Sequence, residues 1–205
     1  MTPEQFQAQT NVSRETLNRL TIYANELVRW NRAINLVAPG SLKHLWQRHI
    51  LDSWQLLQFA GQSRGRWLDL GSGGGLPGLI AAACVSRPMV LVESDQRKSV
   101  FLRETARKMG VDVTVDAARI ESLADMTADT ITARALASLP KLLELAAPFC
   151  HPGTVLILPK GQDVEAELTE ATKYWTFDLE KHQSQSDSRG TILVIGDLKR
   201  HDGTR

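Results

Sequence analysis

Apolar positions along the chain fall into two rhythms. From Ser13, a residue suited to capping a helix N-terminus, Leu17, Leu20, Ala24, Leu27 and Val28 recur at three- and four-residue spacing, which predicts a helix with one apolar stripe. Pro39-Gly40 breaks the pattern. A second helix is predicted after Ser41, with Leu42, Leu45, Trp46, His49, Ile50, Leu56 and Leu57 on one side. Gly61 to Gly65 reads as a linker. Beyond it, short apolar runs at Trp67–Leu70, Met89–Val92, Val111–Val115, Thr130–Ala133 and Val155–Leu158 predict strands, and Pro77–Val85, Gln96–Met109 and Ser138–Phe149 predict helices between them. Such alternation implies right-handed crossovers and a parallel sheet covered on both faces. The end differs. A helix near Asp163–Tyr174 precedes two runs, Trp175–Leu179 and Thr191–Ile195, joined by the polar segment His182–Gly190, which predicts an antiparallel pair closing the sheet. The expected organisation is an N-terminal helical cap, residues 1–64, packed on a Rossmann-like α/β domain, residues 65–205.

Composition narrows this only slightly. A chain of 205 residues, 42% hydrophobic and 23% charged, has the profile of a folded globular protein and needs no disulfide or metal staple. Cys84 and Cys150 lie in apolar surroundings without a CxxC partner, so both read as reduced thiols of a cytoplasmic protein, and no metal-ligand spacing stands out. No apolar run reaches the roughly 18 residues of a membrane span. The start, MTPEQFQAQT, lacks the basic flank and apolar stretch of a secretory signal. A monomer without a membrane partner is expected. The net charge of +1 argues against nucleic acid, yet the charge is uneven: Arg97, Lys98, Arg103, Arg107 and Lys108 share one segment, and Lys199, Arg200, His201 and Arg205 form a basic tail. Composition leaves that partner open.

Residues 67–78 read WLDLGSGGGLPG, a strand running straight into glycines, with Pro77 placed for the first turn of the next helix. Glycines allow sharp turning and close approach of a ligand to the backbone. The carboxyl end of the first strand is where nucleotides bind an open parallel sheet. Gly73, Gly75 and Gly78 satisfy G-x-G-x-x-G, which on its own is a weak sign of a nicotinamide cofactor. No Lys-Ser/Thr pair follows, which excludes a P-loop. Asp69, two residues before Gly71, gives the D-x-G-x-G-x-G form typical of methyltransferases. It is placed either to accept from the amino group of S-adenosylmethionine or simply to cap the loop. Glu93, 22 residues after Gly71, suits both ribose hydroxyls of either cofactor. Arg119-Ile120-Glu121 follow the third strand, where a methyltransferase holds adenine; the plainer alternative is an ordinary helix start.

The segments WNRAINLV (30–37), RHILDS (48–53), LDLGSGGGLPG (68–78), LVESDQRKSVFLRE (91–104), RIE (119–121), ARALASL (133–139) and LPKG (158–161) together resemble one family. It is the bacterial 16S ribosomal RNA guanine-N7 methyltransferases, also called glucose-inhibited division protein B. The resemblance spans nearly the whole chain. It implies a class I methyltransferase fold, a mostly parallel seven-stranded sheet. It also implies S-adenosyl-L-methionine as cofactor, and a guanine of 16S ribosomal RNA, naked or in the 30S subunit, as acceptor. Matching motifs place cofactor contacts on Gly71, Gly73, Leu76, Glu93, Ile120, Glu121 and Arg134, beside Asp69. The chain carries Gly74 where many relatives have Ala or Pro.

The chemistry agrees. Guanine N7 bears a lone pair and no proton at neutral pH, so its methylation needs orientation and no general base. Neither an N-P-P-Y tetrapeptide nor a cysteine after the fourth strand is present. Arg134 is the expected catalytic residue, through orientation or electrostatics. Its alternative is a structural salt bridge with Glu121 or Asp69. Arg48, His49, Arg97, Lys98 and Lys160 are candidate RNA contacts, with a packed, hydrogen-bonded role as the competing account of His49. Most of the five tryptophans, Trp30, Trp46, Trp54, Trp67 and Trp175, read as core.

Overall fold

The computed structural model describes residues 1–123 and 126–201. Seven strands form one sheet: β1 (Trp67–Leu70), β2 (Met89–Val92), β3 (Thr114–Asp116), β4 (Thr130–Ala133), β5 (Val155–Lys160), β6 (Trp175–Gln183) and β7 (Thr191–Arg200). Their order is β3-β2-β1-β4-β5-β7-β6. The first five are mutually parallel, and β7 runs antiparallel to both β5 and β6. The order reverses beside β1, which opens a crevice at the carboxyl ends of β1 and β4.

The helices are α1 (Pro3–Thr10), α2 (Arg14–Trp30), a single turn α3 (Asp52–Trp54), α4 (Gly78–Cys84), α5 (Gln96–Met109), α6 (Leu139–Ala146) and α7 (Val164–Ala171). Ser13 caps α2 as expected, its hydroxyl accepting from Thr16 N at 3.1 Å. Alternation along the strands divides the core. Trp67, Met89, Leu91 and Ile157 pack against Leu20, Tyr23, Leu27, Ile80 and Phe101 on one face. Leu68, Leu70, Val90, Val92 and Leu156 pack against Leu139, Leu143 and Leu168 on the other.

Four local expectations are corrected. α1, absent from the periodicity reading, forms through a capping box between Thr2 and Gln5 and buries one residue, Phe6. The predicted helix after Ser41 is instead a chain of short turns: 3₁₀ over Pro39–His44, π-helical over Trp46–Leu51, α3, then 3₁₀ over Gln55–Phe59. β3 starts at Thr114 rather than Val111. Gly110 takes the left-handed conformation at the end of α5, and Val111 N returns to Ala106 O, so Val111 is spent on the helix cap rather than on the sheet. β6 and β7 extend to Gln183 and Arg200. Lys199 and Arg200 therefore belong to a strand rather than a tail, since backbone pairing, not side-chain polarity, sets strand length at an edge; Arg205 lies outside the described residues. No helix among the described residues is long and apolar enough to cross a membrane.

Candidate functional site

β1 is buried along its whole length and delivers the chain into a loop where Gly71, Gly73 and Gly75 have φ of 67, 54 and 77°. L side chains resist that region, which accounts for glycine at these positions. Gly71 also lets the loop after β4 approach: a Cβ there would stand 2.6 Å from Leu136 Cδ1. The loop is clamped from two sides. Tyr23 of α2 donates its hydroxyl to Gly74 O at 2.7 Å. Glu93, at the end of β2, accepts from Gly73 N through Oε2 and from Asp95 N through Oε1, both at 2.8 Å. Each carboxylate oxygen keeps acceptor capacity toward the cleft it lines.

That cleft is open and has a volume of about 1470 Å³. A small-molecule site typically measures about 300–1,000 Å³, so there is room for a second reactant. Its walls are the glycine loop, the ends of β2, β4 and β5, the 39–59 segment and the β6–β7 turn. Asn31 shapes one rim by accepting from Leu36 N and Val37 N at 2.9 Å each.

Arg134, at the end of β4, is the most heavily fixed cation of the cleft. Its Nη2 donates to His49 Nδ1 at 2.9 Å and to Arg48 O at 3.2 Å. Its Nη1 stands 3.4 Å from Asp52 Oδ2 and, though buried, makes no hydrogen bond. The alternative reading of Arg134, a salt bridge with Glu121 or Asp69, is not what forms: its carboxylate neighbour is Asp52, which the π-helical turn delivers. Ala135, the next residue, is held at φ 52°. His49 is 5% exposed. Because Nδ1 accepts from Arg134, Nε2 must carry the proton, which it gives to Ser41 Oγ at 2.7 Å; Ser41 in turn donates to Ala38 O at 2.6 Å. Burial, then the Arg134 and Arg48 charges, push its pKa down to about 4.

Gly71, Gly73, Leu76, Glu93, Ile120, Glu121, Arg134, Arg48, His49, Lys98 and Lys160 all line this one cleft. Asp69 and Arg97 do not. Asp69 is fully buried behind the loop, where Oδ2 accepts from Gly78 N at 3.2 Å and Oδ1 from Thr132 Oγ1 at 2.8 Å. Both oxygens are turned to the protein, and desolvation raises its pKa to about 6, so it caps the loop rather than reaching a cofactor. Arg97 is exposed at the start of α5, away from the cleft lining. Lys160 was expected in a turn after a strand ending at Leu158. β5 instead continues through it, pairing Lys160 with Thr191. Its side chain is 8% exposed, with Nζ 2.6 Å from Glu167 Oε2 and 3.2 Å from Ala137 O. Glu167 also accepts from Leu139 N at 2.5 Å, fixing the start of α6. Lys160 is thereby committed to the scaffold. The residues missed by sequence reasoning are Asp52, present inside RHILDS but not singled out, and Ser186 of the β6–β7 turn, whose hydroxyl donates to Asp52 Oδ1. No periodicity or motif marks Ser186.

A model of the family described as rRNA small subunit methyltransferase G matches residues 16–192. The chain belongs to this family. Among its relatives, the ribosomal RNA small subunit methyltransferase G of Parvibaculum lavamentivorans is 50% identical over 206 residues, covering 98% of this chain and 91% of that one. The protein of the same description from Rhodospirillum rubrum is 46% identical, covering 98% and 100%. Solved structures confirm the sheet at lower identity. The ribosomal protein L11 methylase of Lactobacillus delbrueckii subsp. bulgaricus superposes with a TM-score of 0.56 at 18% identity, covering 72% of this chain and 76% of that one. The N-methyltransferase NodS of Bradyrhizobium japonicum, in complex with S-adenosyl-L-homocysteine, also gives 0.56, at 14% identity and 88% and 98% coverage. The fold is that of the class I S-adenosylmethionine-dependent methyltransferases.

Proposed function

We propose that this protein transfers a methyl group from S-adenosylmethionine to N7 of a guanine in 16S ribosomal RNA, acting as a cytoplasmic monomer on the RNA or the 30S subunit. The observation that carries this reading is the meeting, in one cleft, of the glycine loop and Glu93 with a buried Arg134 whose Nη1 has no hydrogen-bond partner. Family membership supplies the reaction class.

The residues present fit the cofactor. Glu93 has acceptor capacity for paired ribose hydroxyls, the loop at Gly71 and Gly73 brings backbone close, and Leu76 and Ile120 offer apolar surface beside Glu121. Arg134 Nη1 offers a fixed donor for a carboxylate. When bound, S-adenosylmethionine supplies an electrophilic methyl group at its sulfonium. Guanine N7 carries its own lone pair and no proton at neutral pH, so the protein would need to supply no base. The work of the chain is therefore to hold the base in line and exclude other geometries. His49 suits this role. It is neutral at pH 7 and spends both ring nitrogens on Arg134 and Ser41, which makes it a strut rather than a base. RNA is held electrostatically at the cleft mouth, where Arg48 and Lys98 stand. Because base atoms in a paired A-form groove are hard to reach, the acceptor guanine is expected to be in a loop or turned out of its stack.

The test is tritiated methyl transfer to 30S subunits and to naked 16S RNA, followed by nucleoside analysis. 7-Methylguanosine is expected; another methylated nucleoside, or none despite measurable cofactor binding, would overturn the acceptor. Arg134→Ala is expected to abolish transfer while leaving the fold intact by circular dichroism, and retained activity would remove Arg134 from the mechanism.

A further inference from the structure

Arg134 is held from a distance. Asp52, which faces its Nη1, is itself shared: Oδ1 accepts from the Ser186 hydroxyl and from Gln55 Nε2 at 3.1 Å, leaving Oδ2 toward the guanidinium. The Ser186 turn is seated by a compact set of bonds. Gln55, 1% exposed, accepts from Gln185 N at 2.7 Å and donates to Ser184 Oγ at 3.1 Å. Ser184 Oγ and Ser186 Oγ are 2.9 Å apart. The turn joining edge strand β6 to β7 thus reaches the cleft wall through side chains some 130 positions away in sequence. No other polar junction of this density joins the 39–59 segment to the far edge of the sheet among the described residues.

We propose that Asp52 and Ser186 are positioning residues for Arg134, so that the β6–β7 turn, when docked, fixes the guanidinium that faces the cofactor. This rests on the reading of Arg134 as a cofactor contact. The physical reason is directional. A carboxylate that turns about its χ2 torsion can present either oxygen edge to Arg134, and the orientation present leaves the buried Nη1, 3.4 Å from Oδ2, without a hydrogen bond. Ser186, by donating to Oδ1, selects that orientation and prevents Asp52 from chelating both guanidinium nitrogens, the geometry that an unrestrained carboxylate and arginine prefer. Arg48 O and His49 Nδ1 occupy Nη2 in the same sense. The result is a cation pinned on three sides and unsatisfied on the fourth.

Equilibrium titration of S-adenosylmethionine onto the free protein tests this without requiring turnover, with melting temperature reporting folding. Ser186→Ala is expected to weaken cofactor binding by about 3- to 10-fold, in the range of couplings between residues of one network. Ser186→Thr, which keeps the hydroxyl, is expected to restore it. Placed in an Arg134→Ala background, Ser186→Ala is expected to have no further effect. A merely structural hydroxyl would weaken binding equally in both backgrounds, and that outcome, or no effect of Ser186→Ala in the native protein, overturns the proposal while leaving Arg134 as a cofactor contact. If Arg134→Ala alone leaves cofactor binding unchanged, the underlying reading fails and the proposal with it. Should Ser186→Ala lower the melting temperature sharply, Asp52→Asn, which keeps an acceptor oxygen for Ser186 but loses the charge facing Arg134, replaces it in the same cycle.

Discussion

Neighbouring glycines of one loop carry different obligations. Gly78 packs so closely that a Cβ would lie 2.2 Å from Leu91 Cδ2 and 2.7 Å from Asp69 Oδ2. Gly78→Ala should therefore cost about 1–3 kcal/mol through overpacking. Gly74 is free of that constraint. Its nearest neighbour would be Leu36 O at 3.4 Å, and its φ is not positive. Gly74→Ala should gain about 0.4–1 kcal/mol by restricting the unfolded chain, and urea titration of both variants reads the contrast directly. Two buried titrating groups act in opposite senses. The folded pKa of His49 is depressed to about 4, so between its normal 6.5 and 4 the unfolded state binds more protons and stability falls on acidification. Asp69 is raised to about 6 from 3.8. Its folded form binds more protons over that window, and stability rises on acidification. Each contribution is on the order of 3 kcal/mol and they largely offset. His49→Gln should uncover the Asp69 side, making the variant more stable at pH 4.5 than at pH 7, as denaturant titration across that range would show. An unchanged pH profile would mean His49 is not buried neutral.

At the scale of elements, α1 is held by a single apolar anchor. It buries only Phe6, whose ring lies 5.5 Å from Trp46 and 6.1 Å from Trp54. Phe6→Ala should cost about 3 kcal/mol and release the helix. Amide exchange should become fast over residues 3–10 while β1 and β4 stay protected. The helix was hidden from periodicity because one apolar anchor in eight residues makes no stripe; the Thr2–Gln5 capping box was its available signal. The 39–59 segment was legible as helical from Leu42, Leu45 and Ile50. Its π-helical turn was not, because the shift in register that turns His49 and Asp52 toward the cleft depends on what they meet there.

Across the whole molecule, a net charge of +1 conceals an uneven surface. RNA affinity should fall steeply with salt, and Arg48→Ala and Lys98→Ala should each lower the slope of log affinity against log salt by ~0.7. Lys160→Met should leave that slope unchanged. Its nearly buried ammonium is spent on Glu167 and Ala137 O, so the variant should instead lose about 1–3 kcal/mol of stability by stranding Glu167. Filter binding across a salt series, paired with thermal melts, separates the two roles. A slope reduced in Lys160→Met would return that residue to the RNA surface.

The amino-acid sequence by itself determined the alternation of strands and helices, because burial on both faces demands continuous apolar runs such as Met89–Val92. It also determined the glycine loop, because positive φ and close backbone approach leave little choice of residue at Gly71 and Gly75. Glu93 was legible from its position, at the end of the second strand and 22 residues after Gly71, where a carboxylate meets ribose hydroxyls. Tertiary structure alone decided which polar residues face the cleft. Asp69 and Glu93 are both carboxylates at strand ends, yet one is turned behind the loop and desolvated while the other opens on the cleft. Lys160 and Arg134 are both cations at strand ends, yet Glu167 consumes the first while Asp52 and Ser186 leave a donor of the second unspent. Such differences arise from partners far away in sequence, and no local pattern encodes the direction in which a side chain finds them.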